Sequence, residues 1–174
     1  DLLFDAISEK LSLPSFRPRV LFERFNIEIF STTDAAYDDL HHHQAIRDSG
    51  WRGKVIPTFR PDGVINLDAP GWRQNLDSLS AVSGIEIGSY AAYIRALEKQ
   101  RTYFKNMGAV ATDHAALTPL TADLEPVEAD MIFQRALRGE ASSQDTTQFT
   151  AHMLLEMARM SLEDGLVMQL HVGA

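Results

Sequence analysis

Cysteine is absent from the 174 residues, which excludes disulfide bonds, thiolate metal ligands and a thiol nucleophile. Any chemistry that needs a soft metal ligand therefore falls to the six histidines. The lack of cysteine is compatible with a reducing compartment, and we expect a cytoplasmic protein.

Long apolar runs and an excess of basic residues are also missing. No stretch reaches the roughly 18 to 20 apolar residues that span a bilayer, and the first residues show no basic segment before an apolar one. The formal charge of −8 and the pI of about 5.1 disfavour binding to phosphate backbones and anionic lipids. We therefore expect no nucleic-acid or membrane partner.

Both ends of the chain read as interior segments of a longer protein. The sequence opens without Met, inside an amphipathic pattern that already has helical spacing. The apolar segment 166–171 stops three residues before the last one, with no covering helix after it. We interpret the chain as an internal fragment.

Apolar segments typical of strands alternate with amphipathic helices along the chain. The predicted strands are Ile27–Phe30, Lys54–Phe59, Gly108–Thr112 and Leu166–His171. The pattern also predicts a helix over Ala35–Arg47 and a long loop over Gly63–Gly71. Strands separated by helices indicate an α/β fold with a parallel sheet, arranged either as a doubly wound sheet or as part of a (β/α)8 TIM-type barrel.

Polar residues lie at the carboxyl end of every predicted strand and decide between the two layouts. They are Thr32–Asp34, Arg60–Asp62, Asp113–His114, and Gln169 with His171. In a barrel, the carboxyl ends of all strands converge on one mouth, whereas in an open sheet only strands beside a switch point share a crevice. Gly-rich phosphate-binding motifs are absent. We therefore predict a partial (β/α)8 TIM-type barrel with about four parallel strands and covering helices.

Each polar residue also has a purely structural interpretation. Asp34 could be a helix N-cap instead of a ligand contact. Arg60 precedes a proline, which favours an extended residue held at a strand end. Its guanidinium could grip a carboxylate or could form an ion pair with Asp62.

Two of the histidines are candidates for a functional role, and the others are interpreted as structural or surface residues. Asp113 and His114 could form an acid/base pair or a structural pair, and His171 at the end of an apolar strand needs a partner that could be a metal. Three consecutive histidines at 41–43 point about 100° apart on a helix, so we interpret them as a partly solvated face. His152 is predicted to be a packed helix residue.

Several stretches together resemble the uronate isomerases (glucuronate isomerases) of the amidohydrolase superfamily. The resemblance is carried by residues 25–34, by Val55–Asp62, by Gly108–His114 and by Met168–Ala174. It implies a distorted (β/α)8 barrel of which these are the second to fifth strands. Residues 1–24 would be the tail of a helical insertion, and residues 25–174 the partial barrel domain.

The activity implied by the resemblance is aldose–ketose isomerisation. D-Glucuronate would be converted to D-fructuronate, and D-galacturonate to D-tagaturonate. The resemblance also implies a divalent metal, zinc, whose main ligands are a His-x-His pair and an Asp absent from this chain. The expected partners are a hexuronate and either a second copy or the remainder of the barrel, and the fragment alone is expected to be inactive.

The resemblance assigns candidate roles to the polar residues. Asp113 and His114 would be catalytic, and Arg60 would clamp the uronate carboxylate. Thr33 and Asp34 would bind substrate at the barrel wall, and His171 would be a metal ligand.

Two alternatives stay open. One is a metal-dependent hydrolase of the same superfamily, although the Lys that those enzymes often carry at the fourth strand is replaced here by Asp113–His114. The other is a non-catalytic α/β domain that binds a small acid or a protein.

Overall fold

A single sheet of four strands with helices packed on one side forms the structure, a computed structural model that describes residues 2–173. The strands are β1 (Ile29–Ala35), β2 (Lys54–Arg60), β3 (Ala111–Ala116) and β4 (Val167–Val172). The α-helices are α1 (Leu2–Ser12), α2 (Pro18–Arg24), α3 (His41–Asp48), α4 (Asp62–Ile65), α5 (Trp72–Ser83), α6 (Tyr90–Asn106), α7 (Pro126–Leu137) and α8 (Ser143–Asp164). A 3-10 turn, Pro14–Phe16, joins α1 to α2.

The four strands lie in chain order, and every neighbouring pair is parallel. One or more helices connect each strand to the next, as the alternating sequence pattern predicts. The predicted α/β class and the parallel sheet are therefore confirmed.

Two strands extend further than the apolar pattern predicts. β1 continues through Thr32, Thr33 and Asp34 to Ala35, and β3 includes Asp113 and His114. The predicted ends at Phe30 and Thr112 were wrong, because a polar residue can remain in a strand where its face of the sheet is open or its side chain has a partner. The polar residues of β1 and β3 therefore lie within the last residues of the strands and not in loops after them, whereas Asp62 follows β2 and begins α4.

The helix predicted over 35–47 begins only at His41. Residues 36–40 form a turn in which Leu40 has φ of 54°, and the Leu40 amide donates to Asp38 Oδ1 at 2.6 Å. That side-chain acceptor competes with helix formation, so the helix starts after it. Asp34 is consequently not an N-cap. The loop predicted over 63–71 also needs correction, since α4 occupies its first part.

The two long helices begin at side-chain caps. Ser89 Oγ accepts a hydrogen bond from the Ala92 amide at the start of α6. Ser142 and Asp145 form a reciprocal capping box at the start of α8, and Gly165 with φ of 77° ends that helix. These caps fix the starts of the helices that pack against β2 and β4.

The hydrophobic core lies between the helices and one face of the sheet. Aromatic rings dominate it, namely Phe59, Tyr93, Phe104, Phe133 and Phe149, all with no exposed surface. Arg101 of α6 is buried among them and pairs with Asp164 through Nε at 2.6 Å and Nη2 at 3.0 Å. The opposite face of the sheet carries no covering helix among residues 2–173.

No helix within residues 2–173 is both long and apolar enough to cross a membrane.

Candidate active site

The register of the sheet places the polar side chains in rows across neighbouring strands. Ala35 pairs with Arg60, and Phe59 pairs with Thr112, so Arg60 is level with Asp113. Paired residues in a sheet share a face, and successive residues alternate between faces. Arg60, Asp113 and His171 therefore belong to the uncovered face, which we call the inner face because it corresponds to the interior of a barrel.

Arg60 ends β2 and is held by two carboxylates. Its Nε donates to Asp62 Oδ2 at 2.6 Å, and its Nη1 lies 3.5 Å from Asp113 Oδ2. The hydrogen bond to Asp62 is the main cause of a raised Arg60 pKa, so the guanidinium is charged at any working pH. With 40% of its side chain exposed, Arg60 keeps Nη2 without a partner in the described part of the chain.

Asp113 is the centre of this group. Its side chain is 8% exposed, and its two oxygens face different partners. Oδ2 is directed to Arg60, and Oδ1 lies 3.0 Å from Nδ1 of His171. The His171 ring is not aligned for a hydrogen bond, and within residues 2–173 the buried Oδ1 accepts none.

Asp62 ties the group to β3. Its two carboxylate oxygens accept from the Ala115 amide at 3.2 Å, in addition to the bond from Arg60. The residue is therefore a brace between the end of β2 and the end of β3. We call Arg60, Asp62, Asp113 and His171 the carboxyl-end cluster.

The structural alternative weighed for Arg60, an ion pair with Asp62, is realised, but it leaves room for a ligand. Asp62 binds only one edge of the Arg60 guanidinium. The His171 side chain is 57% exposed and also faces the inner face of the sheet. The cluster thus presents a cation and an imidazole on an open surface.

Thr33 and Asp34 lie on opposite faces. Thr33 pairs with Thr58 on the inner face and is exposed, so it stays a candidate for substrate contact. Asp34 is level with Phe59, a core residue, and its Oδ2 accepts from Thr32 Oγ1 at 2.7 Å. The structure therefore gives Asp34 a partner on the helix-covered face and separates it from the cluster.

His43 is the partner of the polar residues Thr32 and Asp34 on the helix-covered face of β1. Its Nε2 is 2.8 Å from Thr32 Oγ1 and 3.6 Å from Asp34 Oδ2, and its side chain is only 8% exposed. The interpretation of residues 41–43 as one partly solvated face was wrong for this member, because α3 turns it onto β1. His41 and His42 are exposed, as predicted.

His114 also faces the helices, so the expectation that it shares a mouth with Asp113 needs correction. It is 1% exposed, and its Nε2 is 2.8 Å from Thr112 Oγ1. Burial, with smaller contributions from the charges of Arg101 and Arg60, lowers its pKa to about 4. A neutral ring behind the sheet supports β3 and does not reach the inner face.

His152 is the packed helix residue that the sequence predicts. It is 4% exposed, Tyr90 Oη is 2.8 Å from its Nε2, and the Leu124 amide donates to its Nδ1 at 3.2 Å. No three His, Asp or Glu side chains within residues 2–173 are arranged to hold a metal ion. His171 with Asp113 could supply part of a donor set, and the rest would have to come from outside this range.

Two features were not predicted from the sequence, namely the contact of Asp62 with β3 and the burial of His43 against β1 on the helix-covered face. The short spacing in Arg60-Pro61-Asp62 indicates the ion pair of Asp62 with Arg60 but not the hydrogen bonds that Asp62 accepts from the Ala115 amide. No pattern in the sequence indicates the second, because it depends on where α3 begins.

Comparison with known proteins accounts for this arrangement. The sequence model of the glucuronate isomerase family matches residues 1–174. The chain belongs to this family. Uronate isomerases from Nostoc punctiforme and Rhizorhabdus wittichii are 53% and 50% identical to it, over 98% and 100% of the chain.

Solved structures of the family show the same fold. The crystal structure of the glucuronate isomerase from Caulobacter crescentus superimposes with a TM-score of 0.90 at 42% identity over 97% of the chain. The uronate isomerase from Thermotoga maritima gives 0.87 at 29% identity over 94%. Because these relatives are TIM barrels, the four-stranded sheet is part of a (β/α)8 barrel, as predicted.

The chain spans 36% and 37% of the two curated relatives' lengths, and 35% and 37% of the two solved chains. This agrees with the interpretation of the sequence as a fragment.

Proposed function

We propose that the full-length protein to which this chain belongs is a uronate isomerase that interconverts D-glucuronate with D-fructuronate, and D-galacturonate with D-tagaturonate. The observation that carries the proposal is the position of Arg60 in a chain of this family. A permanently charged guanidinium stands at the carboxyl end of a barrel strand, with an unpartnered amino group on the inner face. Catalytic sites of (β/α)8 barrels lie at that end of the strands.

The clamp follows from the geometry of Arg60. Asp62 fixes the guanidinium through Nε, Nη1 faces Asp113, and Nη2 makes no hydrogen bond in the described part of the chain. A uronate carboxylate on the inner face can accept from Nη2, which would give a charge-assisted hydrogen bond. Thr33, exposed on the same face one strand away, would contact the sugar hydroxyls.

The reaction moves a proton between neighbouring carbons of the open-chain sugar acid. A base removes the proton from C2, the electrons pass through an enediol or enediolate, and a proton is returned at C1 while the oxygens exchange theirs. Among the residues of the cluster, His171 and Asp113 can hold or move a proton. His114, which is buried on the helix-covered face, supports β3 and is not needed for this step.

We also propose that a divalent metal, zinc by the chemistry of the amidohydrolase superfamily, takes part. His171 would contribute an imidazole nitrogen, with a carboxylate beside its other nitrogen, an arrangement usual around ligating histidines. When bound, such an ion would polarise the oxygens of the substrate. The remaining ligands would come from other parts of the full-length protein.

A cytoplasmic enzyme without nucleic-acid or membrane partners fits the absence of cysteine and the net charge of −8. The hydrolase alternative has less support, because β3 carries no Lys. The remainder of the barrel is the expected partner of the exposed sheet edges.

The test is the isomerisation of D-glucuronate by the full-length protein and by its Arg60→Lys and Arg60→Gln variants. A single charge-assisted hydrogen bond contributes about 1.5–3 kcal/mol, so Arg60→Gln is expected to raise KM roughly 10- to 100-fold. Arg60→Lys is expected to recover part of the loss, because it keeps the charge but not the fork.

The matched control is Arg73→Gln, which removes an exposed arginine paired only with Asp77 one helical turn away. It should leave KM unchanged. An Arg60→Gln protein with wild-type KM, or a full-length protein that binds uronates without converting them, would contradict the proposal.

A further inference from the structure

Asp113 has features that a proton-transferring residue does not require. It is buried, its neighbours on both sides are cationic or titratable, and each of its oxygens serves a different one. The residue lies between Arg60 on β2 and His171 on β4, so that one carboxylate spans three strands of the sheet. A group in this position determines the orientation of its neighbours more readily than it reaches a substrate.

The unpartnered oxygen is the informative observation. A buried carboxylate oxygen without a donor carries the full cost of desolvation. The His171 ring lies beside it, with Nδ1 3.0 Å from Asp113 Oδ1. A small rotation of that exposed ring would align Nδ1–H with Oδ1.

We infer that Asp113 is a positioning residue that holds His171 in the Nδ1–H tautomer, leaving Nε2 unprotonated toward the inner face. The inference rests on the proposed function and deepens it. It changes the role predicted for Asp113 from proton transfer to orientation. The lone pair on Nε2 would then be available to the substrate or to a ligating ion.

The Asp113 carboxylate would also couple Arg60 to His171. Oδ2 faces Arg60 Nη1 at 3.5 Å while Oδ1 faces His171, so a displacement of Asp113 would disturb both the clamp and the imidazole. Asp62 has no such double role. It accepts from Arg60 and from the Ala115 amide, and within residues 2–173 it makes no hydrogen bond or ion pair with His171.

The experiment compares full-length wild type with Asp113→Asn and, as a matched control, Asp62→Asn. The side-chain amide introduced by Asp113→Asn would donate to Nδ1 of His171 and force the proton onto Nε2, as an Asp-to-Asn change does in other carboxylate–histidine pairs. We expect kcat to fall roughly 100- to 10,000-fold with a smaller change in KM. Asp62→Asn should instead act mainly on KM through Arg60.

The decisive readout is the tautomer of His171, measured by 15N NMR on metal-depleted, histidine-labelled full-length protein, because an ion bound to Nε2 would itself fix the Nδ1–H tautomer. The signal is assigned as the one that His171→Gln removes. We expect Nδ1–H in wild type and in Asp62→Asn, and Nε2–H in Asp113→Asn. An Nε2–H tautomer in wild type, or no change in Asp113→Asn, would overturn the inference. The tautomer does not depend on turnover, so a lack of isomerase activity would remove the proposed function without deciding this point.

Discussion

His114 shows how adjacent residues of one strand acquire opposite tasks. Asp113 opens onto the inner face, whereas His114 is buried against the helices, and alternation in the strand requires this division. The sequence alone suggested an acid/base pair, because nothing in the dipeptide states which face each residue takes. Only the register with Phe59 and Arg60 settles the faces.

The buried His114 makes a prediction about pH. Its pKa falls from 6.5 in the unfolded chain to about 4 in the fold, so the folded state binds fewer protons between these values. The free energy of unfolding is therefore fully maintained above pH 6.5 and declines as the pH falls toward 4, by up to about 3 kcal/mol from this residue. Chemical denaturation of the full-length protein across this pH range measures the decline.

A His114→Gln variant provides the comparison, since glutamine does not titrate there. Its unfolding free energy should depend less steeply on pH over the same interval. Identical slopes in the two proteins would show that His114 does not stay neutral in the fold.

At the scale of elements, the sheet edges matter most. β1 and β4 are paired on one side only among residues 2–173, and they carry exposed apolar side chains. Those with about half or more of their surface exposed are Ile29, Phe30, Val167 and Val172. Such edges can pair with other chains.

Residues 1–174 produced alone are therefore expected to self-associate and to lack isomerase activity. Size-exclusion chromatography with multi-angle light scattering checks this, and a Phe30→Lys change at the β1 edge should reduce the association. A stable, active monomer of this segment would be incompatible with the proposed half-barrel.

The elements themselves could largely be predicted, but their ends could not. Periodicity located the strands and most helices because burial imposes it. It placed the ends of β1 and β3 too early because Thr33 and Asp113 are polar residues on a face that other parts of a barrel would cover. It missed the late start of α3 because Asp38 captures the Leu40 amide, a local contact that hydrophobic patterning does not register.

For the whole molecule, the sheet order explains why distant segments of sequence form one site. β2, β3 and β4 each deliver one member of the carboxyl-end cluster from residues 60, 113 and 171, and Asp62 ties two of these strands together. The polar residues at the carboxyl ends of the predicted strands indicated this convergence for Arg60, Asp113 and His171. They could not exclude Asp34 and His114, whose side chains belong to the opposite face.

The proposed function requires a hexuronate on the inner face with its carboxylate on Arg60. A crystal structure of the full-length protein with bound D-glucuronate measures this directly. We predict a carboxylate oxygen within hydrogen-bond distance of Arg60 Nη2, and His171 Nε2 directed toward the sugar or its metal. A sugar acid bound on the helix-covered face, or one whose carboxylate is held by other residues while Arg60 contacts only Asp62 and Asp113, would contradict the proposal.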